Sequence, residues 1–326
     1  MTQPATAPPA SKRPSLPSLS TLGPLLALLL ACIFFATQSD RFFTGTTLSL
    51  VLKQISFVAV IAIGQTLIIL TSGIDLSCGV IMALGSVVMT KFAVELGVPP
   101  ILAILCGLAV TTAIGALNGL LITKLRLPPF IATLGMFGIV SATTQIYSGA
   151  QTVTNLPPAL NFLGQTFNIL NTPFTYGAVL MLILFGVAWF FLTHTAPGRH
   201  VYAVGNNPEA VRLSGIPTTR LLISVYAVAG LLYGIAAVIL VGRVGAGDPN
   251  AGQTENLESI TAVVLGGTSL FGGRGSVLGT FLGALIVGVF RVGLTLSGVN
   301  SVYQILITGV LIILAVATDQ FSRRKA

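Results

Sequence analysis

The residues able to do acid–base, nucleophilic or metal chemistry are few and scattered. The 326-residue chain carries 2 His, 3 Cys and 8 Asp plus Glu. His194 and His200 stand six apart, and no other histidine exists to complete a zinc set. Cys32, Cys78 and Cys106 lie inside apolar runs without metal-ligand spacing and read as small buried hydrophobes. The glycine cluster Gly266-Gly267…Gly272-Gly273-Arg274-Gly275 lacks the Lys-Ser/Thr that reaches phosphate and magnesium in a phosphate loop. No catalytic residue, cofactor site or metal site is therefore expected. Asp75 is the one acid that the sequence puts in an apolar interior, and intramembrane acids are functional candidates by default. It also follows Gly73-Ile74 and is placed to cap a helix starting at Leu76. It is expected near the cytoplasmic end of its span. A cap or a hydrogen bond at a gate is preferred for it over a substrate ligand or proton site, because a lone acid makes a poor relay.

A second informative segment runs from Gly198 to Pro217 and writes out a short helix. Asn207 is a good N-cap, Pro208 suits the first helical position, and Glu209 in the first turn meets the positive end of the helix dipole. Arg212 falls three residues on, on the same face. Gly215 suits a left-handed C-terminal position and Pro217 stops the chain from continuing. About two turns of helix cannot bury a core alone and must rest on the membrane or on a partner.

The elements that position these residues follow from composition. The chain is 54% hydrophobic and only 7% charged, against about 25% charged in soluble domains. Long continuous apolar runs argue for spanning helices rather than the short alternating strands of a barrel. Eight runs are long enough to approach a crossing: Leu22–Thr37, Val51–Thr71, Pro100–Ile122, Phe130–Tyr147, Phe174–Leu192, Leu221–Val241, Val277–Leu296 and Val302–Ala317. Two shorter ones remain, Ser77–Phe92 and Ser259–Phe271. Crossing by both puts Lys12 and Arg13, Lys124 and Arg126, the 194–220 loop, Arg274 and Arg323-Arg324-Lys325 on one side, as the positive-inside rule requires.

The expected fold is thus an all-α polytopic membrane protein of about ten transmembrane helices with both termini cytoplasmic. Residues 1–20 form a disordered cytoplasmic N-terminus, 21–318 the membrane domain with its cytoplasmic loop at 194–220, and 319–326 a cytoplasmic tail. The net charge of +8 reads as a topology signal, not as a nucleic-acid surface. Lys53 and Arg291 are expected to snorkel from span ends. The outer loop 149–173 carries no charge.

Gly73 and Gly79 match Gly273 and Gly279 at an offset of 200, which hints at an internal repeat with interrupted helices, a mark of transport pathways. Gly115-x-x-x-Gly119 and Gly279-x-x-x-Gly283 are faces for close helix packing, with a dimer seam as the other reading. Gln65, Asn118, Thr133 and Ser141 are polar groups inside spans; with Gly73 and Asp75 they are the gate or translocation candidates, each also able to bond a neighbouring helix.

Several stretches together resemble the permease family of ABC importers for ribose, xylose, arabinose and galactose, closest to its ribose members. They are Leu70-Thr-Ser-Gly-Ile-Asp-Leu-Ser77, Phe130-Ile-Ala-Thr-Leu134, Gly198-Arg-His-Val-Tyr-Ala-Val-Gly205, Glu209-Ala-Val-Arg-Leu-Ser-Gly-Ile216 and Ala262-Val-Val-Leu-Gly-Gly-Thr-Ser-Leu270. The resemblance implies a bacterial inner-membrane subunit that translocates a monosaccharide, ribose first. It implies two copies around the path, a periplasmic sugar-binding protein that delivers the ligand, and a cytoplasmic ATP-binding subunit that supplies the energy. Asn207, Pro208, Glu209, Ala210, Arg212, Leu213, Ser214 and Gly215 would form the coupling helix docking into that subunit, with Glu209 and Arg212 in polar contact and Ala210 and Leu213 packing. Val211 departs from the Ala of the broader motif, which puts the helix's packing in doubt. The other reading is a secondary sugar transporter driven by an ion gradient, for which Asp75 alone is thin support.

Overall fold

The computed structural model describes residues 19–300 continuously and, beyond them, 302–304, 306–307, 309–310 and 313. The expectations for residues 1–18, the last part of the 302–317 run and the 319–326 tail lie outside the described residues.

Eleven α-helices carry the described chain: α1 (Leu19–Gln38), α2 (Gly45–Leu70), α3 (Cys78–Val94), α4 (Pro100–Lys124), α5 (Pro129–Ser148), α6 (Tyr176–His194), α7 (Ala196–Asn206), α8 (Pro208–Leu213), α9 (Thr218–Val244), α10 (Glu255–Leu265) and α11 (Val277–Leu296). Six of them, α2, α4, α5, α6, α9 and α11, are long and apolar enough to cross a membrane, and Gly23–Gln38 and α3 are shorter apolar helices. The protein is polytopic and mainly helical, with one departure from all-α. The uncharged 149–173 loop folds into a 3-10 turn at Pro158–Gly164 and, with the next two residues, an antiparallel hairpin of β1 (Thr166–Ile169) and β2 (Thr172–Thr175). The polar Thr and Asn of this stretch favour an extended ribbon capped by a turn, with Leu170 and Asn171 both at positive φ.

The bundle has two distinct ends. At the hairpin end, Gly45 at the start of α2 abuts Thr172, the Ser49 hydroxyl donates to the Pro173 carbonyl, and Val153 bridges to Gly247. At the other end, Gly205 of α7 lies against the Leu70 carbonyl, and the Gly273 N–H donates to that same carbonyl at 2.9 Å. This second end carries α7 and α8 and is called the short-helix end.

The two central helices are α2 and α9, largely buried within the protein, whereas α4, α5 and α6 leave most of their surface outward. Outward Leu, Ile and Phe are the norm where the solvent is lipid. Small residues set the closest approaches. Gly115 packs on Gly230, with 2.9 Å between its would-be Cβ and the Gly230 Cα, and Gly119 packs on Ile223 and Tyr226. Gly279 and Gly283 meet Gly266 and Ala262 of α10. Both small-residue motifs thus serve packing within one chain.

The two short apolar stretches differ from expectation. The first becomes α3 only from Cys78, because residues 71–77 run without helix from the end of α2 back into the bundle. The second is displaced: its helix is Glu255–Leu265, and residues 266–276 are turns. Eleven residues of helix rise only about 16 Å, half of the roughly 30 Å of a hydrocarbon core. The helix is preceded by the non-helical 245–254 segment. Both short stretches are therefore interrupted helices, and their interruptions touch, with Gly79 of α3 packed on the backbone of Gly252. The two glycine-rich turns matched at an offset of 200 also meet, since the Ser72 hydroxyl donates to the Phe271 carbonyl at 2.8 Å.

Candidate functional site

Backbone that leaves the helix at membrane depth must find its hydrogen bonds inside the protein. Around residues 71–78 it does so through polar side chains from five helices. Thr133 of α5 accepts from the Leu76 N–H at 3.2 Å and faces the Ile74 carbonyl at 3.1 Å. Gln65 of α2 donates through Nε2 to the Asp75 carbonyl and toward Cys78 Sγ at 3.1 Å. Asn118 of α4 donates to Ser77 Oγ at 2.9 Å, and Asn256 of α10 donates to the Leu76 carbonyl at 3.2 Å. Tyr233 of α9 donates its hydroxyl to Asp75 Oδ2 at 3.2 Å. Asp75 Oδ1 in turn accepts the Ser77 N–H at 2.8 Å and the Ser77 hydroxyl at 2.6 Å. Gly73 belongs to the same knot, because a side chain there would meet the Tyr226 hydroxyl at 2.7 Å and Ile68 at 2.9 Å.

Five of the six gate candidates, Gln65, Gly73, Asp75, Asn118 and Thr133, thus come together. Ser141 does not: it is half-buried on α5, away from this knot. Asp75 also departs from its expected place. It is fully buried and meets Tyr233 near the middle of the 27-residue α9, not near a span end. The helix it was expected to cap starts at Cys78, with Ser77 in the N-cap position, so Asp75 holds the turn before the helix instead. Its recorded hydrogen-bond partners are neutral donors, and Gln65, Asp75, Ser77, Cys78, Asn118 and Thr133 are all fully buried. The arrangement is a fully buried polar cluster around an interrupted helix. Sequence reasoning missed Tyr226, Tyr233, Asn256 and Ser259, whose hydroxyl lies 3.8 Å from Cys78 Sγ; two tyrosines seven apart on one face of an aliphatic span were the legible signal.

A second polar cluster escaped the sequence reading. Asp75 is not the only interior acid: Glu258 lies in the first turn of α10 with its side chain 13% exposed. Arg291 does not snorkel away from it but donates through Nη1 to both carboxylate oxygens of Glu258 at 3.0 Å. Arg243, near the end of α9, donates to the Gln54 carbonyl at 3.3 Å and to the Gln54 side chain, with its guanidinium 5.3 Å from the centre of the Phe57 ring. Gln54, Glu258 and Arg291 line one cavity with Ile55, Val58 and Gly288. No linear spacing brings positions 54, 243, 258 and 291 together.

The third site is at the short-helix end. The Asn207 side chain caps α8 by accepting the Ala210 N–H at 3.0 Å, and Gly215 takes positive φ just past its end, both as the sequence requires. The unexpected part is α7, whose N-terminus is capped by Thr195 accepting the Gly198 N–H at 3.1 Å. Gly198 and Gly205 permit close contact of α7 with the ends of α6 and α2. On α8 only Val211 is buried; Asn207, Pro208, Glu209, Ala210, Arg212, Leu213, Ser214 and Gly215 are exposed, Leu213 by 75%. Val211 is therefore the inward anchor of the helix. Glu209 and Arg212 bond each other, Nε to Oε2 at 3.0 Å, and this hydrogen bond holds the Glu209 carboxyl below the usual carboxylate range.

Residues 47–316 match the family model described as branched-chain amino acid transport system / permease component. The chain is 48% identical over 309 residues to the fructose import permease of Rhizobium meliloti, covering 93% of this chain and 86% of that protein. It is 42% identical over 300 residues to the ribose import permease of Escherichia coli (strain K12), covering 90% and 92%. It is 40% identical to the ribose import permease of Bacillus subtilis (strain 168), covering 93% of each.

Proposed function

From the premise that the chain belongs to the branched-chain amino acid transport system / permease component family, as an ABC importer permease among sugar-import relatives, we propose that it translocates a monosaccharide into a bacterial cell. It is a multi-pass protein of the inner membrane. The observation that carries the mechanism is the capped α8 helix, anchored by Val211 and otherwise offering its residues outward. A separate ATP-binding subunit docks on α7 and α8 and there delivers the energy that this chain does not generate. A sugar-binding protein delivers the ligand at the hairpin end, and two copies of the chain enclose the path. Ten crossings, both termini on the side of α8, agree with the distribution of Lys and Arg.

Motion of the docked subunit enters through α8 and passes to α7. From α7, Gly205 on Leu70 and the Asn206–Gly273 contact lead to the ends of α2 and of the turn before α11. Both broken crossings are thereby connected to the coupling helix. Ribose and fructose are the sugars of the relatives' names and the two substrates to assay.

The test is uptake into proteoliposomes holding this chain, its ATP-binding subunit and its sugar-binding protein, beside a Glu209→Arg variant. ATP-dependent uptake of either sugar, lost in the variant, supports both the function and the coupling role. Uptake driven by an ion gradient without the ATP-binding subunit overturns the reading in favour of a secondary transporter.

A further inference from the structure

Between α6 and α11 the described helices leave an open apolar cavity of about 240 Å³, lined by Leu182, Phe185, Gly186, Trp189, Leu278 and Phe281. Phe185 and Phe281 join its two walls edge-on, with 5.0 Å between ring centres. Gly186 widens it, since a Cβ there meets nothing within 4 Å. Glycine is unfavourable inside a helix, and no described residue uses the space that this one leaves. An apolar lining by itself selects no occupant, because lipid tails are as apolar as Leu. The end of the groove does. Trp189 and Leu278 are its last lining residues toward the short-helix end, and Trp189 meets the His194 ring edge-on at 5.1 Å. Tryptophan is enriched at the headgroup level of a membrane. Here α7 spans both walls: Gly198 packs on the Phe191–Leu192 end of α6, and the Tyr202 hydroxyl donates to the Gly275 carbonyl, just before α11, at 3.1 Å. Arg199 on α7 and Arg274 in the turn before α11 are both exposed, and among the described residues neither forms an ion pair.

We propose that this groove seats an acyl chain of one anionic phospholipid, taken from the leaflet at the short-helix end, whose phosphate headgroup is drawn by Arg199 and Arg274. Charge decides among the occupants. A second copy of the chain would bring the same two arginines toward their own kind, and like charges set together across an interface are costly. Residues 1–18 carry Lys12 and Arg13 and no acid, and residues 319–326 carry three bases against Asp319, so neither terminal segment complements the arginines. A phosphodiester does, and a guanidinium matches its oxygens in a fixed fork. Basic pockets between membrane helices are a recurrent seat for anionic headgroups. A chain in the groove touches α6 and α11 while its headgroup reaches α7, so the lipid braces the junction that the Gly198 and Tyr202 contacts hold from the other side.

The experiment gives the full chain, purified in detergent, either phosphatidylglycerol or phosphatidylcholine of equal chain length. Native mass spectrometry counts the retained lipid, and the melting temperature is followed beside it. Phosphatidylglycerol should be retained and raise the melting temperature, with phosphatidylcholine retained at least about fivefold less. Arg199→Gln and Arg274→Gln should each weaken retention of phosphatidylglycerol about fivefold, the weight of one basic residue at an anionic surface, and leave phosphatidylcholine unaffected. Gly186→Leu, which fills the groove, should abolish the lipid's effect while the lipid-free melting temperature stays. Gly138→Leu, on α5 with nothing within 4 Å, should behave as the unaltered chain. If Gly186→Leu itself unfolds the protein, the two arginine variants still decide, since both side chains are exposed. Equal retention of the two lipids by the unaltered chain overturns the proposal, as does lipid retained by a folded Gly186→Leu. An equal gain in melting temperature from inorganic phosphate would make the arginines a site for a free anion and also overturn it. A disulfide between two copies of Gly186→Cys would make the groove an interface between copies, with the same result.

Discussion

At the residue scale, the most informative side chain is an acid with no cation among its hydrogen-bond partners. Asp75 is tolerated because three donor contacts, from the Ser77 N–H, the Ser77 hydroxyl and the Tyr233 hydroxyl, surround its two oxygens. Removing the side chain strands those donors in a dry interior, at about 1–3 kcal/mol for each buried group left unpaired. Asp75→Ala should therefore lower the melting temperature of the detergent-solubilised protein markedly, whereas Asp75→Asn, which keeps an acceptor for Ser77, should lose much less. Equal damage from both would mean that the charge itself is required. Glu209 gives the opposite case, fully exposed and bonded to Arg212. Its carboxyl titrates lower in the folded chain than free, so whatever the pair contributes is complete at neutral pH and fades only as pH falls through the lowered value. ATP-dependent uptake should thus show no Glu209-linked change between about pH 6 and 8. A Glu209-dependent inflection in that window, absent in Glu209→Gln, would contradict the pairing.

At the element scale, the interrupted helices α3 and α10 depend on backbone contact that only glycine permits. A methyl on Gly79 would fall on the backbone of Gly252, which itself is at φ +86. Overpacking of this kind costs typically about 1–3 kcal/mol or more. Gly79→Ala should reduce the monodisperse fraction on size-exclusion chromatography, while Gly135→Ala, with nothing within 4 Å, should leave it unchanged. A tolerant Gly79 would mean that the breaks of α3 and α10 do not touch. The same scale applies to α8. Leu213 is an exposed apolar side chain on a helix whose own anchor is Val211. Leu213→Ser should shift stability by no more than about 0.5 kcal/mol yet weaken copurification of the ATP-binding subunit. Unaltered copurification would remove Leu213 from the docking surface.

At the scale of the whole molecule, the two ends of the bundle are chemically unlike. One bears an uncharged hairpin loop with Leu170 96% exposed, and the other bears α7, α8 and the basic 194–220 loop. The positive-inside rule predicts that the α8 end is the cytoplasmic one. In intact cells, a membrane-impermeant maleimide should label a cysteine placed at Leu170 but reach one at Ser214 only after permeabilisation. The reverse pattern would invert the molecule and remove α8 from the ATP-binding subunit.

Composition alone dictated a polytopic helical protein, because a chain with 7% charged residues has only lipid as a compatible solvent. The helix at Pro208–Leu213 was legible to its caps, since capping is local chemistry read within a few residues of Asn207. The resemblance carried by Leu70–Ser77 and Glu209–Ile216 pointed to the family that the chain belongs to. Five gate candidates were nameable as polar groups in apolar runs, but their meeting at one broken helix was not, because Gln65, Asn118 and Thr133 reach residues 73–77 across separate helices. Tertiary structure alone decided that Asp75 is fully buried beside an interrupted helix, that α10 is only 11 residues long, and that Glu258 pairs with Arg291. Hydropathy averages over a window and records no partner, and a charge brought inside by a contact 33 residues away reads in sequence as a charge in a loop.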